Sequence, residues 1–350
     1  MNTTSRFPTF SPDTRGSVDG AQRRRLLAAT GGFIGLGGGL AGTAFAAAPG
    51  ASAAWPVKPV RIIVPFTPGG ASDVAARTVS TALQMAIGQP VIVEYKPGAN
   101  GNLGADIVTK SGGDGHTLLV TDIVGQAASP AVYGKLNFDP STDLQGVCML
   151  TYAPHLIAVN PELPVRNLAE LVALSKRQQV SCAISALGSP PHLACVQLQK
   201  LMGAQWEYVP YKGGSQAMTD TISGQTQMII NSLAPTLPYV QGGRLRAIAL
   251  SNLGRMALVS QIPTLDESGA PGFSSGSWQG VMVSSAVPAA VVALIHAAVS
   301  RVMLDTDLRA RVLAQGAQVS VKSPSEMKVF FASERKRWEA VARDNGIQAG

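Results

Sequence analysis

The sequence predicts an α/β protein of two domains, each a sheet flanked by helices, joined by two crossings into a clam with a cleft between the halves. Three observations carry this. Short β-branched runs such as Val60 to Val64, Val180 to Ile184 and Met228 to Ile230 alternate with longer helical patterns, as in parallel strands covered on both faces. Glycine loops recur where a strand hands over to a helix. Apolar strands at Val147 to Leu150 with Leu156 to Val159, and at Val281 to Val283, read as the exit from the first half and the return to it. The expected domains are residues 54–153 with 276–350, and residues 154–275, a division that a chain of 350 residues readily supports.

Residues 1–22 are polar, and Arg23-Arg24-Arg25 then precedes a weakly apolar, glycine-rich run to Ala46. This pattern predicts a twin-arginine-like export signal over residues 1–53, cleaved after Ala46 or Ala53, and so a periplasmic mature chain. Glycine density and the Ala-x-Ala sites argue against a retained anchor. Gly37-x-Gly39-x-x-Gly42 matches a dinucleotide fingerprint by letters but has no strand before it. Five of the 28 basic and two of the 21 acidic residues lie in this segment, which reduces the net charge from +7 to +4 for the remainder. No basic and aromatic stripe is present, so nucleic acid is not an expected partner.

The stretch from Val60 to Asp73 organises the rest. A strand ends at Pro65, Gly69 and Gly70 make the turn, and Ser72 or Asp73 can cap a helix with Ala75, Val79, Ala82, Leu83 and Ala86 on its apolar face. Free amides at such a helix start, beside glycines that admit close approach, favour a carboxylate or phosphate. The other reading is an ordinary capped turn. A second strand at Pro90 to Glu94 leads to a glycine loop, Pro97 to Gly104, and a helix over Ala105 to Lys110. A third strand, Thr117 to Thr121, delivers the loop Asp122 to Ala127 to the same sheet edge, followed by a short helix at Pro130 to Tyr133.

The second half repeats the alternation: helix Leu168 to Lys176 with Asn167 as cap, strand Val180 to Ile184, then a loop before helix Leu193 to Met202. Strand Trp206 to Val209 and the loop Pro210 to Ser215 precede helix Gln216 to Ser223, and further strands fall at Met228 to Asn231 and Arg246 to Ser251. Two closing helices are expected over Pro288 to Leu304 and Pro324 to Asp344. Three cysteines in an exported chain permit one disulfide, for which Cys182 and Cys195 are the candidate pair; the alternative is that both are small core residues.

Gly272-Phe273-Ser274-Ser275-Gly276 has the letters of a serine-hydrolase elbow, but it runs into a strand where the elbow needs a helix. None of the four histidines has an obvious acidic partner, and no cluster has metal-ligand spacing, so neither catalysis nor a cofactor or metal is expected.

Several blocks together resemble the Bug-type (tripartite tricarboxylate transporter, TctC-like) periplasmic solute receptors. They are Pro65-Phe66-x-Pro68-Gly69-Gly70-x-x-Asp73, Lys96-Pro97-Gly98-Ala99 with Gly101-Asn102-Leu103-Gly104, Asp114-Gly115-x-Thr117, Ser189-x-x-His192-Leu193, Pro210-Tyr211-Lys212-Gly213, Gly243-Arg244-Leu245-Arg246 and Ile262-Pro263-Thr264-Leu265. The resemblance spans the mature chain and implies a type II-like periplasmic-binding-protein clam. Its function would be to close on a small organic acid or amino-acid-like ligand and, as a monomer, present it to membrane transporter subunits. A sensor for a membrane signalling partner is the alternative. By the same resemblance, Phe66, Thr67, Gly69, Gly70, Ala71 and Ser72 meet the ligand and Asp73 is a structural cap. Asp122 and Ile123 follow from the third strand, and Ser185, Gly188, Ser189, His192, Tyr211, Lys212, Gly213 and Asn231 face them from the second domain. Asp122 stands where relatives carry a small hydroxyl residue, and Asn231 where they often carry Asp. Asp122 beside an anionic ligand then calls either for Lys212, the nearest candidate cation, or for a carboxylate ligand bearing a hydrogen-bond donor, the reading preferred here; the other reading is that both departures are solvated and without effect.

Overall fold

The first βα unit sets the pattern of the sheet. In the computed structural model, which describes residues 55–349, β1 (Val60–Val64) is buried except for Arg61, whose guanidinium pairs with Glu94 at 2.7 Å. The predicted signal, residues 1–53, lies outside the described residues. Helix α1 (Ala71–Ile87) turns Ala75, Ala76, Val79 and Leu83 inward and ends at Gly88, which takes the left-handed conformation a C-terminal stop requires. Strands β2 (Val91–Tyr95) and β3 (Thr117–Asp122) flank β1 in parallel, with α2 (Asn102–Thr109) between them and α3 (Ile123–Val132) following.

Strand β4 (Leu144–Val159) is a single 16-residue element in which the two expected apolar runs are fused. Beyond it come α4 (Leu168–Ser175), β5 (Val180–Ile184), α5 (Pro190–Met202), β6 (Trp206–Pro210), α6 (Gly214–Ile222), β7 (Met228–Ser232), α7 (Leu233–Gln241) and β8 (Arg246–Leu250). Strand β9 (Gly276–Ser284) then returns to the first half, followed by α8 (Ala289–Met303), α9 (Thr306–Ala314), β10 (Gln318–Val319) and α10 (Pro324–Asp344). The strand order is β2-β1-β3-β9-β4-β7-β5-β6. The start of β4 pairs with β9 and its end with β7 and β8, so one strand serves both halves of the curled sheet.

Each half has its own core. Ile62, Leu118, Val120 and Val283 pack under α1 and α8, while Ile157, Ile184, Leu198 and Met228 pack under α4 and α5. Each such side chain contributes about 1.5–3 kcal/mol on burial. A third cluster joins α3 and α5 through Val124, Ala128, Val132 and Leu193, closed by Trp338 and Ala342 of α10.

Three helices differ from expectation. The segment after β3, read as a loop up to Ala127, is helical from Ile123; α7 and α9 were not anticipated. Helix α3 is buried on nearly every face, so it carries no amphipathic period to reveal it. The starts of α2, α5 and α6 each lie two or three residues nearer the N-terminus than the periodicity suggested.

Candidate functional site

Five helices begin at the carboxyl ends of their strands around one small cavity of about 40 Å3. It is lined by Phe66, Gly70, Ala71 and Ser72 from α1 and its loop, Asp122 before α3, Ser185, Ser189, Pro190 and Pro191 at α5, Gly214 of α6 and Asn231 before α7. Ser277 and Gln279 of β9 complete the wall. The helix starts differ in one respect. Asp122 caps α3, accepting from the amides of Val124 at 3.0 Å and Gly125 at 3.4 Å. Gly70, Ser189, Gly213 and Ser232 cap α1, α5, α6 and α7 with no side-chain hydrogen bond to the first turn. The hydroxyls of Ser189 and Ser232 are themselves buried without a partner. Four helix starts therefore turn positive dipole ends to this region without a side-chain cap, although α5 opens with Pro190 and Pro191, which carry no N–H, and α1 has Asp73 in its first turn. No basic side chain lines the cavity.

The α1 loop is braced from behind. Neither Ser72 nor Asp73 is the cap expected of them: Gly70 is the N-cap of α1, and Asp73 sits in the first turn, one carboxylate oxygen accepting from the Gly69 amide at 2.7 Å and the other from Arg77 Nε at 2.8 Å and Tyr95 OH at 2.7 Å. Gly69 has φ +86°, open to glycine at little steric cost, whereas Gly70 is extended and its missing Cβ would meet only ordinary contacts. The loop opposes α6: Thr67 Oγ1 and Ser215 Oγ are 3.0 Å apart, and a Cβ on Gly213 would overlap the Thr67 hydroxyl.

A polar chain crosses the cavity wall. Ser72 donates to Gln279 Oε1 at 2.8 Å, and Gln279 Nε2 donates to Asp122 Oδ2 at 3.3 Å. Burial raises the Asp122 carboxyl to about 7, against the amides of Gly125 and Val124 that favour its ionised form. Behind Ser277, at 3.4 Å, lies His155, which also contacts Ser275 Oγ at 3.0 Å and is driven down to about 3 by burial.

The structure thus gathers Phe66, Gly70, Ala71, Ser72, Asp122, Ser185, Ser189 and Asn231 at the cavity. Thr67 and Gly213 meet each other at its rim, beside Gly69. Ile123 points into the core, and Gly188 packs on Val132. His192 is buried, accepts from the Gly188 amide at 3.0 Å through Nδ1, stacks edge-on to Tyr208 and is lowered to about 4 by burial, so it holds the loop as a neutral ring. Tyr211 donates to Asp220 at 2.7 Å, away from the wall. Lys212 is exposed and off the lining, so it does not offset Asp122 as expected. Cys182 and Cys195 are buried with sulfurs 3.6 Å apart, in contact and unbonded. Among the described residues no His, Cys, Asp and Glu group is placed to hold a metal. Gln279, Ser277, Pro190, Pro191 and Gly214 were not anticipated. For the two prolines and Gly214 the strand-loop-helix pattern was the available signal; for the β9 residues there was none.

The family model of the tripartite tricarboxylate transporter family receptor matches residues 75–347. Protein BugT of Bordetella pertussis is 33% identical over 331 residues, covering 93% of this chain and 98% of that protein. Among solved structures, R. palustris Rpa4515 with adipate superposes with a TM-score of 0.82 at 29% identity, over 85% of this chain and 100% of that one. MatC from Rhodopseudomonas palustris with bound malate gives 0.78 at 30% identity, over 82% and 99%.

Proposed function

The chain belongs to the tripartite tricarboxylate transporter receptor family, and from that premise we propose that it is a periplasmic receptor for a small carboxylate. The carboxylate lies against the starts of α1, α5, α6 and α7, and the receptor, a monomer, delivers its ligand to the membrane subunits of a transporter. One observation carries this reading: four helix N-termini without side-chain caps surround a cavity that has no basic lining residue. Each contributes roughly 0.3–1 kcal/mol toward an anion, and up to about 2 when partly buried. Against them stands Asp122, whose ionised form would repel a carboxylate ~5 Å away by about 3 kcal/mol at an effective dielectric near 20. The helix ends outweigh that term only at the upper, partly buried value, and protonation of Asp122 or a donor on the ligand removes it. A hydroxy acid or an amino acid, which brings a donor to Asp122, therefore suits the site better than a plain aliphatic dicarboxylate.

The halves touch across the cavity at Thr67 and Ser215, so a ligand enters when they part and is enclosed when they meet, with residues 54–153 and 276–350 moving against 154–275. The test is titration calorimetry with malate, adipate, aspartate and 2-hydroxybutyrate. Saturation at one ligand per chain, with the ligand recovered unchanged, supports a receptor. Turnover, or no heat with any carboxylate, contradicts it. Loss of uptake on deleting the receptor separates delivery from a sensing role.

A further inference from the structure

Beside the cavity lies a second group of buried polar side chains that do not line it. Asn100, Asn102 and Gln126 are 3%, 5% and 0% exposed, and both amide atoms of each lack any hydrogen-bond partner. With the Thr121 hydroxyl they make up seven of the 11 buried side-chain atoms left unpartnered among the described residues. Such a concentration is not scattered imperfection. Each unsatisfied buried amide is destabilising, so a group able to donate and accept must complete it.

The backbone is bent to put them there. Gly98, Ala99, Asn100 and Gly101 all have positive φ, at 149°, 46°, 53° and 89°. For Ala99 this conformation is unfavourable. The group also adjoins the cavity at two points. A Cβ built on Gly101 would stand 3.1 Å from Gln126 Nε2 and 3.2 Å from Phe66 Cζ, and Phe66 lines the cavity. A Cβ on Gly125 would stand 3.9 Å from Asn100 Nδ2 and 3.4 Å from Pro190 Cδ, and Pro190 lines it too.

We infer that Asn100 and Gln126 form a specificity subsite that receives an uncharged hydrogen-bonding group at the far end of the ligand, past Phe66. The inference rests on the carboxylate reading above and adds the other end of the molecule. Primary amides donate and accept, so they match a hydroxyl or a carboxamide; an aliphatic chain end would leave them unpaired, the kind of mismatch that discriminates most strongly.

The experiment compares butyrate, 4-hydroxybutyrate and succinamate by calorimetry on the full mature chain, on Gln126→Met and on Asn100→Gly. Methionine keeps the length of glutamine without its amide, and glycine accepts the φ of Asn100 without strain. Wild type is expected to bind 4-hydroxybutyrate and succinamate at least tenfold tighter than butyrate. Either variant should reduce that preference to less than threefold by weakening 4-hydroxybutyrate and succinamate and, with the mismatch removed, not weakening butyrate, while the melting temperature stays close to wild type. A preference that survives both variants, or an equal loss for all three ligands, overturns the subsite and leaves the amides as a shell for structural water. If wild type binds butyrate no worse than the other two, the subsite also fails while the carboxylate cradle stands. If wild type binds none of the three, the subsite fails; the receptor reading fails with it only if malate, adipate, aspartate and 2-hydroxybutyrate give no heat either.

Discussion

The starts of α1 and α3 lie at the same edge of the sheet and face the same cavity, yet they treat their carboxylates in opposite ways. At α3, Asp122 turns back on its own helix and accepts from two first-turn amides. At α1, Asp73 is directed away from the ligand side, to the Gly69 amide, Arg77 and Tyr95, so the helix end stays open and the loop before it is held rigid. One end is satisfied internally; the other calls for an anion from outside. On the proposed function, the difference is what would make a helix dipole a binding site: an acidic residue sets the loop but is withheld from the cap.

Closing the open end should have the largest effect. Gly70→Val places a branched side chain over the α1 amides where the backbone tolerates it, since Gly70 is extended and its nearest neighbours lie 3.7 Å or more from a Cβ. Carboxylate affinity is expected to fall at least 100-fold by calorimetry, with the melting temperature within a few degrees of wild type. Removing the brace comes next. Asp73→Ala leaves the Gly69 amide and Tyr95 without their acceptor and should destabilise the fold by about 2 kcal/mol in urea unfolding, while lowering carboxylate affinity roughly tenfold through a looser loop.

The capped end is tested by pH. Asp122 holds its proton to about 7 in the folded chain and loses it near the ordinary carboxylate value when unfolded. The folded state therefore binds more protons between these values, and the Asp122 contribution to stability falls as pH rises from about 4 to about 7. Carboxylate affinity should weaken above pH 7, by up to about tenfold per unit, because the ionised side chain repels the ligand. Asp122→Asn keeps a capping oxygen and should flatten that pH profile. A smaller effect is expected for Asp122→Thr, which should favour succinate over malate relative to wild type by a few-fold in competition binding. If both variants retain the wild-type pH dependence and ligand preference, the two helix ends do not differ in the way described.

The open end was legible in the sequence and the capped end was not, for physical reasons. Val60 to Asp73 compresses strand, glycine turn and helix start into 14 adjacent residues, and each local preference agrees with the next. Asn167 was equally readable: its side chain accepts from the Glu170 amide at 2.9 Å at the start of α4. Asp122 was expected as a loop residue and lines the cavity as the cap of α3; the helix went unread because Ile123–Val132 is buried except at Pro130 and Ala131 and contains Gly125 and Pro130, leaving neither amphipathic period nor propensity to mark it. Gln279 joins Ser72 to Asp122 from a strand 207 positions from Ser72, a contact only the antiparallel pairing of β3 with β9 creates. Lys212 shows the converse: it belongs to the right loop, but its side chain faces solvent.

The most direct measurement is a titration of the 15N-labelled mature chain with malate, followed through the backbone amides of Ala71, Ser72, Gly125 and Gly214. The account predicts large downfield proton shifts at Ala71, Ser72 and Gly214, saturating at one ligand per chain, and a much smaller change at Gly125, which Asp122 already engages. Saturable binding that leaves Ala71 and Ser72 unmoved, or that shifts Gly125 most, would contradict it.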